Sequence, residues 1–277
     1  TGDDSWRWTQ CLPFFKQHED HWRGADEWHG ARQEWRIDKQ RLRWDILDAF
    51  AAAALEAGIP ATDDFNRGNN EGVGYFEVNQ KKGWRWSTSK AFLRPVVSRP
   101  NLEVWTGALT RQVLLEGGRA VGIEVLPAGG GEPVRARASK EVILCAGAVG
   151  TPQLLQLSGI GPGALLHQHG VAVRHELPGV GENLQDHLQI RAVFGVQGVK
   201  TLNTIANSWL GKAGIGLEYL LRRSGPMSMA PSQLGAFTRS APGHAWPNVE
   251  YHVQPLSLDA FGQPLHSYNA FTASVCN

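Results

Sequence analysis

Apolar positions along these 277 residues fall into short runs broken by Gly, Pro and Asn, and their spacing switches between helical and strand-like. The clearest helical stretch is Ile46 to Ala57, ILDAFAAAALEA, dense in Ala and Leu and stopped by Gly58 and Pro60. Ser87 to Leu93 reads as a second helix, with Ser87 as its cap and Pro95 beyond its end. Trp209 to Leu221 reads as a third. Runs of strand length occur at Leu102 to Thr106, Ala120 to Leu126 and Glu141 to Cys145, the middle one leading into the turn Gly129-Gly130-Gly131. Arg191 to Val196 and Val249 to Val253 look like half-buried strands of a second sheet, which makes the predicted class a mixed α/β one. In the first fifty residues Trp6, Trp8, Trp22, Trp28, Trp35 and Trp44 supply anchors for helices and loops packed on a neighbour.

One segment joins all these signals. Lys140 to Pro162 runs from an apolar strand through the small residues Ala146-Gly147-Ala148-Val149-Gly150 into a helix opened by Thr151 and Pro152. The small residues leave almost no side chain to keep another molecule from the backbone. Thr can cap free N–H groups and Pro suits a first helical position, so this helix start favours an anion or an electron-rich cofactor edge. An ordinary strand-to-helix connection in an α/β protein would use the same pattern.

Composition narrows the classes. With 42% hydrophobic and 19% charged residues the chain can bury a sizeable core. A formal net charge of +1 gives no electrostatic reason to expect nucleic acid as a partner. No run of about eighteen apolar residues predicts a transmembrane segment, and the N-terminus has no signal-peptide core. Cys11, Cys145 and Cys276 are odd in number and far apart, which argues against a disulfide framework and for a reducing compartment. A cytoplasmic location follows, with membrane association left open. Cys145, inside an apolar run, is expected to be a buried, inert thiol.

Other clusters are less informative. His18, His21 and His29 lie near Glu19, Asp20, Asp26 and Glu27, but their spacing matches no helical ligand pair or finger, so a solvated polar face is expected there and no metal. Asp186-His187 is expected to play a structural or cofactor-packing part rather than a catalytic one. Ser158-Gly159 lacks the Gly-x-Ser-x-Gly spacing of a nucleophile elbow.

Read residue by residue, GAVGTPQLLQLSGIG, Gly147 to Gly161, resembles the second signature of the glucose-methanol-choline oxidoreductases, flavoenzymes that oxidise alcohols with FAD. The likeness continues through ELPGVGENLQDHL (Glu176 to Leu188), DDFNRGNNEGVGYF (Asp63 to Phe76) and AFLRP (Ala91 to Pro95). Towards the end MAPSQLGAFTRS, HVQPLSLD and FTASVCN resemble the choline-dehydrogenase-like branch. No complete GxGxxG is present: Gly72-Val73-Gly74, Gly179-Val180-Gly181 and Gly214-Ile215-Gly216 each lack the third glycine. In the resembled family that fingerprint is N-terminal and the catalytic His lies near the C-terminus. This chain starts at Thr1 without Met and stops at Asn277 inside a family motif, so the resemblance implies an internal fragment with no catalytic residue of its own.

It implies further that residues 87–185 form part of an FAD-binding Rossmann-like domain, and that 1–86 and 186–277 form portions of an antiparallel-sheet substrate domain. Thr110, Ala146 and Gly147 fall at positions whose backbone faces FAD in similar enzymes. The partner would be a small-molecule alcohol, and the oligomeric state is left open. Gln189 stands where choline dehydrogenases carry Glu, and an amide removes the attraction for a quaternary ammonium, so an uncharged primary alcohol is expected as substrate. His29 to Asp38 departs from the glycine-proline pattern usual after that His-Gly. Two other readings stay open, an NAD(P)-linked α/β oxidoreductase and a non-catalytic scaffold or binding module.

Overall fold

The two ends of the chain, Thr1–Arg99 and His187–Asn277, come together in the larger of two units, and Pro100–Asp186 forms the other. The computed structural model describes residues 2–260 and 262–277; Thr1 and Phe261, which belong to the predicted portions 1–86 and 186–277, lie outside the described residues. Residues 87–99, assigned above to the cofactor portion, belong with the larger unit.

From its N-terminus the larger unit contains helix α1 (Trp8–His18), the parallel pair β1 (Glu19–His21) and β2 (Trp35–Ile37), helix α2 (Asp45–Glu56) and strand β3 (Gly72–Tyr75). The chain then forms the second unit with β4 (Ala108–Glu116), β5 (Arg119–Pro127), β6 (Val134–Arg137), helix α3 (Gly147–Leu157) and helix α4 (Gly163–Gln168). The larger unit resumes with β7 (Gln189–Gly195), helix α5 (Trp209–Arg222), β8 (Leu234–Thr238), β9 (Val249–Gln254) and β10 (Ala270–Cys276). Among the described residues no helix is long and apolar enough to cross a membrane.

In the larger unit β7, β10, β9, β8 and β3 lie in that order in a five-stranded sheet, each pair antiparallel. Register decides its two faces. Ala192, Ala273, Val253, Leu234 and Tyr75 stand opposite one another, so their side chains share one face. Helix α2 covers that face with Leu47 and Ala54, forming a core with Val73, Leu234, Ala236, Val253 and Ala273. Burying each larger aliphatic side chain contributes on the order of 1.5–3 kcal/mol. Asp45 and Asp48 in the first turn of α2 favour the helix dipole. One residue out of step along each strand, the opposite face carries Thr272 and Ser274 on β10 and Glu250, His252 and Gln254 on β9.

In the second unit β4, β5 and β6 form an antiparallel meander, and β5 contains the predicted run Ala120 to Leu126. Ser158 fastens α3 to it: its buried hydroxyl donates to the Leu154 carbonyl at 2.6 Å and accepts the Val113 N–H at 2.8 Å. The hydroxyl is occupied by backbone groups, as the missing elbow spacing implied.

Four expectations are corrected. Glu141 to Cys145 and Leu102 to Thr106 form no ladder, although β-propensity is high in both. Such continuous apolar runs are stable as strands only between neighbours that cover both faces. Cys145 is consequently exposed rather than buried. Helix α3 begins at Gly147, ahead of Thr151-Pro152, and Pro152 lies inside it. The helix predicted from Ser87 is a short wide turn over Ser89–Leu93, closed by Arg94 N–H to Ser89 O at 2.8 Å.

Candidate functional site

Three features concentrate chemistry, one in the second unit and two in the larger one. The first is a cleft of ≈ 870 Å³ that brings together Thr110 from β4 and Ala146 from the start of α3, with Ile143, Leu144, Leu154 and Leu157 as apolar wall. A bulge at Arg111 breaks the β4–β5 register beside Thr110, turning the strand where it meets the cleft. Ala146 N–H donates to Thr151 Oγ1 at 3.1 Å. Helix geometry leaves the N–H groups of the next turn without intrahelical acceptors, a favourable place for electron-rich atoms. Gly147 does not line the cleft but follows Ala146 directly; at φ +83° it takes a backbone conformation that suits Gly, and a Cβ there would meet nothing within 4 Å. Apolar walls, accessible backbone and a volume in the usual range for ligand sites fit a flat, partly apolar cofactor such as FAD.

The second feature is the polar sheet face. Gln189 is exposed at the first position of β7 and pairs with Cys276, which pairs in turn with Glu250, which pairs with Phe237. The adjoining row runs Arg191, Ser274, His252, Gly235, and the Phe76 ring fills the space over Gly235 where a Cβ would stand. Glu250 Oε1 hydrogen-bonds His252 Nε2 at 2.6 Å. Burial, reinforced by the neighbouring Glu250 carboxylate, pushes the Cys276 thiol pKa up. The His187 ring belongs to the same cluster, its ligand atom within 4.8 Å of those of Glu250 and Cys276. Of these groups the sequence pattern singled out Gln189 and the Asp186-His187 pair. Glu250 and His252 escaped it, although their spacing of two within VEYHVQ places both on the face opposite buried Val253.

The third feature overturns the expected solvated histidine face. His21 and His29 are 2% and 3% exposed and their rings stack at 3.8 Å. His29 Nδ1 hydrogen-bonds Glu19 at 3.0 Å and its Nε2 bonds Asp64 at 2.9 Å, while His21 Nε2 bonds Glu77 at 2.9 Å. Burial by itself would push the His29 pKa down, but the Glu19 and Asp64 carboxylates outweigh it and hold the value above the usual imidazole range. His21, His29 and Asp64 bring ligand atoms within 4.8 Å of one another, yet the Arg23 and Arg67 guanidinium groups also approach Asp64, at 3.6 and 3.3 Å. Cations from the chain itself thus already balance the carboxylate. Burial needed partners far along the chain, Asp64 and Glu77, which local spacing could not reveal.

The sequence profile described as GMC oxidoreductase matches residues 1–189. The chain is 39% identical over 277 residues to an oxygen-dependent choline dehydrogenase of Photobacterium profundum, covering 99% of this chain and 48% of that protein. It is 36% identical to an alcohol dehydrogenase [acceptor] of Pseudomonas putida, covering 100% and 50%. Among solved structures, pyridoxine 4-oxidase from Mesorbium loti superposes with a TM-score of 0.81 at 28% identity, over 100% of this chain and 50% of that one. A formate oxidase superposes with a TM-score of 0.86 at 20% identity, over 99% and 53%, which shows a shared fold. The chain spans about half the length of the curated relatives it matches.

Proposed function

The chain belongs to the GMC oxidoreductase family, and on that premise we propose that it forms part of an FAD-dependent enzyme that oxidises the CH–OH group of an alcohol to an aldehyde. The observation carrying this reading is the cleft that joins Thr110 to Ala146 beside the start of α3, because two of the backbone positions attributed to FAD by resemblance line one cavity and the third adjoins it. FAD held there would supply the acceptor for the hydride leaving the alcohol carbon.

The residues of this chain have supporting tasks. Ile143, Leu144, Leu154 and Leu157 exclude water from the cofactor wall. The N–H groups opening α3 favour electron-rich cofactor atoms, and Thr151 holds the Ala146 backbone in place. Gln189, on the polar sheet face, is the residue that would contact the alcohol. The apolar run Glu141 to Cys145 would gain its ladder in a larger parallel sheet, where both faces of such a strand are covered.

The test is the complete enzyme, purified and mixed anaerobically with primary alcohols. A bound flavin should be present and should lose its visible absorbance on adding alcohol, with no nicotinamide required. A complete protein that holds no flavin, or that oxidises alcohols only with NAD(P), would overturn the reading.

A further inference from the structure

One side of helix α5 is apolar and uncovered. At about 100° per residue, Trp209, Leu220, Ala213, Leu217, Leu210 and Leu221 fall within one arc of about 120° that contains no charged residue. Trp209, Leu210, Leu220 and Leu221 are between 68% and 76% exposed, and Leu217 is 58% exposed. Single apolar side chains are ordinary on a surface, whereas a continuous strip marks a contact. Cations border this strip. Gln80–Lys81 and Trp84–Arg85 pair in a tight hairpin, and Tyr219 of α5 donates its hydroxyl hydrogen to Gly83 O at 3.3 Å. The Arg223 guanidinium lies 4.3 Å from the centre of the Trp84 ring, and the Lys90 ammonium 5.2 Å from it. Arg41 fixes the end of α5 by donating to the Arg222 and Arg223 carbonyls at 3.2 and 2.9 Å. Lys81, Lys82, Arg85 and Arg222 are exposed around this junction, and neither Gln80–Trp86 nor Tyr219–Arg223 contains an acidic residue. Glu218, the one carboxylate on α5, is half-buried and accepts the Ser224 hydroxyl at 3.0 Å.

An apolar strip of Leu and Trp with Lys and Arg along its flank matches the boundary between lipid headgroups and acyl chains. With 14 residues α5 is about 21 Å long, too short for a hydrocarbon core of about 30 Å, so such a helix lies in the plane of the interface. The basic flank favours anionic headgroups, whose phosphates supply the counter-charge that the hairpin and the end of α5 lack. A second copy of the chain is a poorer match. A two-fold contact through the strip would set the two basic flanks near each other with no carboxylate between them. We propose that α5 and the Gln80–Arg85 hairpin form the surface by which the complete protein sits on an anionic phospholipid bilayer. Leu210, Leu217, Leu220 and Leu221 enter the acyl boundary, while Lys81, Lys82, Arg85 and Arg222 meet headgroup phosphates. This contact does not depend on which alcohol is oxidised.

The test is co-sedimentation of the complete protein with vesicles of phosphatidylcholine, alone or mixed with phosphatidylglycerol, at low and high salt. The parent should bind the mixed vesicles about tenfold or more tightly than the neutral ones, and raising the salt should remove most of that preference. A Leu217→Ser/Leu220→Ser/Leu221→Ser variant should bind both kinds of vesicle about tenfold or more weakly. A Lys81→Gln/Lys82→Gln/Arg222→Gln variant should bind the mixed vesicles no better than the neutral ones. Both variants change exposed side chains and should keep the parent's melting temperature, and the parent's own lipid and salt dependence decides the matter if either fails to fold. Equal binding of the parent to the two kinds of vesicle, or binding to neither, would overturn the proposal, as would binding that survives the leucine substitutions. A parent that stays in solution as a dimer, separated by the leucine substitutions, would give the strip to a second copy and overturn it too.

Discussion

Two apolar runs that look alike in sequence have opposite fates. Strand β10, ending in FTASVC, lies between β7 and β9, and Ala273 and Cys276 are buried. Glu141 to Cys145, EVILC, pairs with no strand among the described residues, and Ile143 is 75% exposed. Propensity cannot separate them. The difference is that β10 is paired on both edges and covered on both faces, with Ala273 buried on the helix side and Thr272, Ser274 and Cys276 buried on the other. EVILC is apolar at successive positions and requires cover on both faces, which an antiparallel meander on one side does not give. Strand formation is a property of the neighbours as much as of the run itself.

Core truncations should separate the regions most. In the 277-residue chain, Leu47→Ala should cost about 2–5 kcal/mol in urea denaturation, against about 0.5 kcal/mol or less for Ile143→Ala. In the longer protein the cost at Ile143 should rise towards that at Leu47; equal costs in the short chain would erase the distinction. Glycines give the next contrast. A Cβ at Gly235 would overlap the Phe76 ring, so Gly235→Ala should cost on the order of 1–3 kcal/mol. Gly147→Ala meets open space and bears only its positive φ, so its cost should be smaller, nearer about 1 kcal/mol.

At the cofactor wall the same glycine should matter for binding. In the complete enzyme Gly147→Val should weaken FAD about tenfold, measured by flavin release on dilution, because a branched side chain at that φ shifts the helix start beside the cleft. Wild-type retention of FAD would move the cofactor away from this turn. The smallest expected effect is a pH slope. His29 has a raised pKa in the folded state, so its contribution is fully present below the unfolded value of about 6.5 and is lost as pH rises through the folded one. The stability difference between the parent and His29→Gln, followed by urea denaturation, should therefore shrink from about pH 5.5 towards pH 9. A difference that grows across that range would mean the imidazole is neutral in the fold.

What was legible follows from what is local. Helix α2 matches its predicted span within a residue because Ala and Leu propensity, first-turn carboxylates and the Gly58 stop all act within a few positions. β5 was readable as an apolar run of strand length, and β7 and β9 as half-buried strands, for the same reason. β10 and β8 were not singled out, since short strands rich in Ala, Ser, Thr and Gly show little contrast between faces. The cluster of His21 and His29 was misread because its partners Asp64 and Glu77 lie far away in the chain.

By itself the sequence determined the mixed α/β class and the family resemblance through Gly147 to Gly161, and through that resemblance it offered Thr110, Ala146 and Gly147 as candidate cofactor positions. These depend on residue types at fixed short spacings, which the chain carries whether folded or not. Only the tertiary structure decided that Thr110 and Ala146 line one cleft, that two histidines are buried among carboxylates, and that Glu250 stands in the same row as Gln189. Each of these joins residues distant in the chain. Pairing register and burial set such encounters, and both are fixed collectively by packing rather than by any one segment.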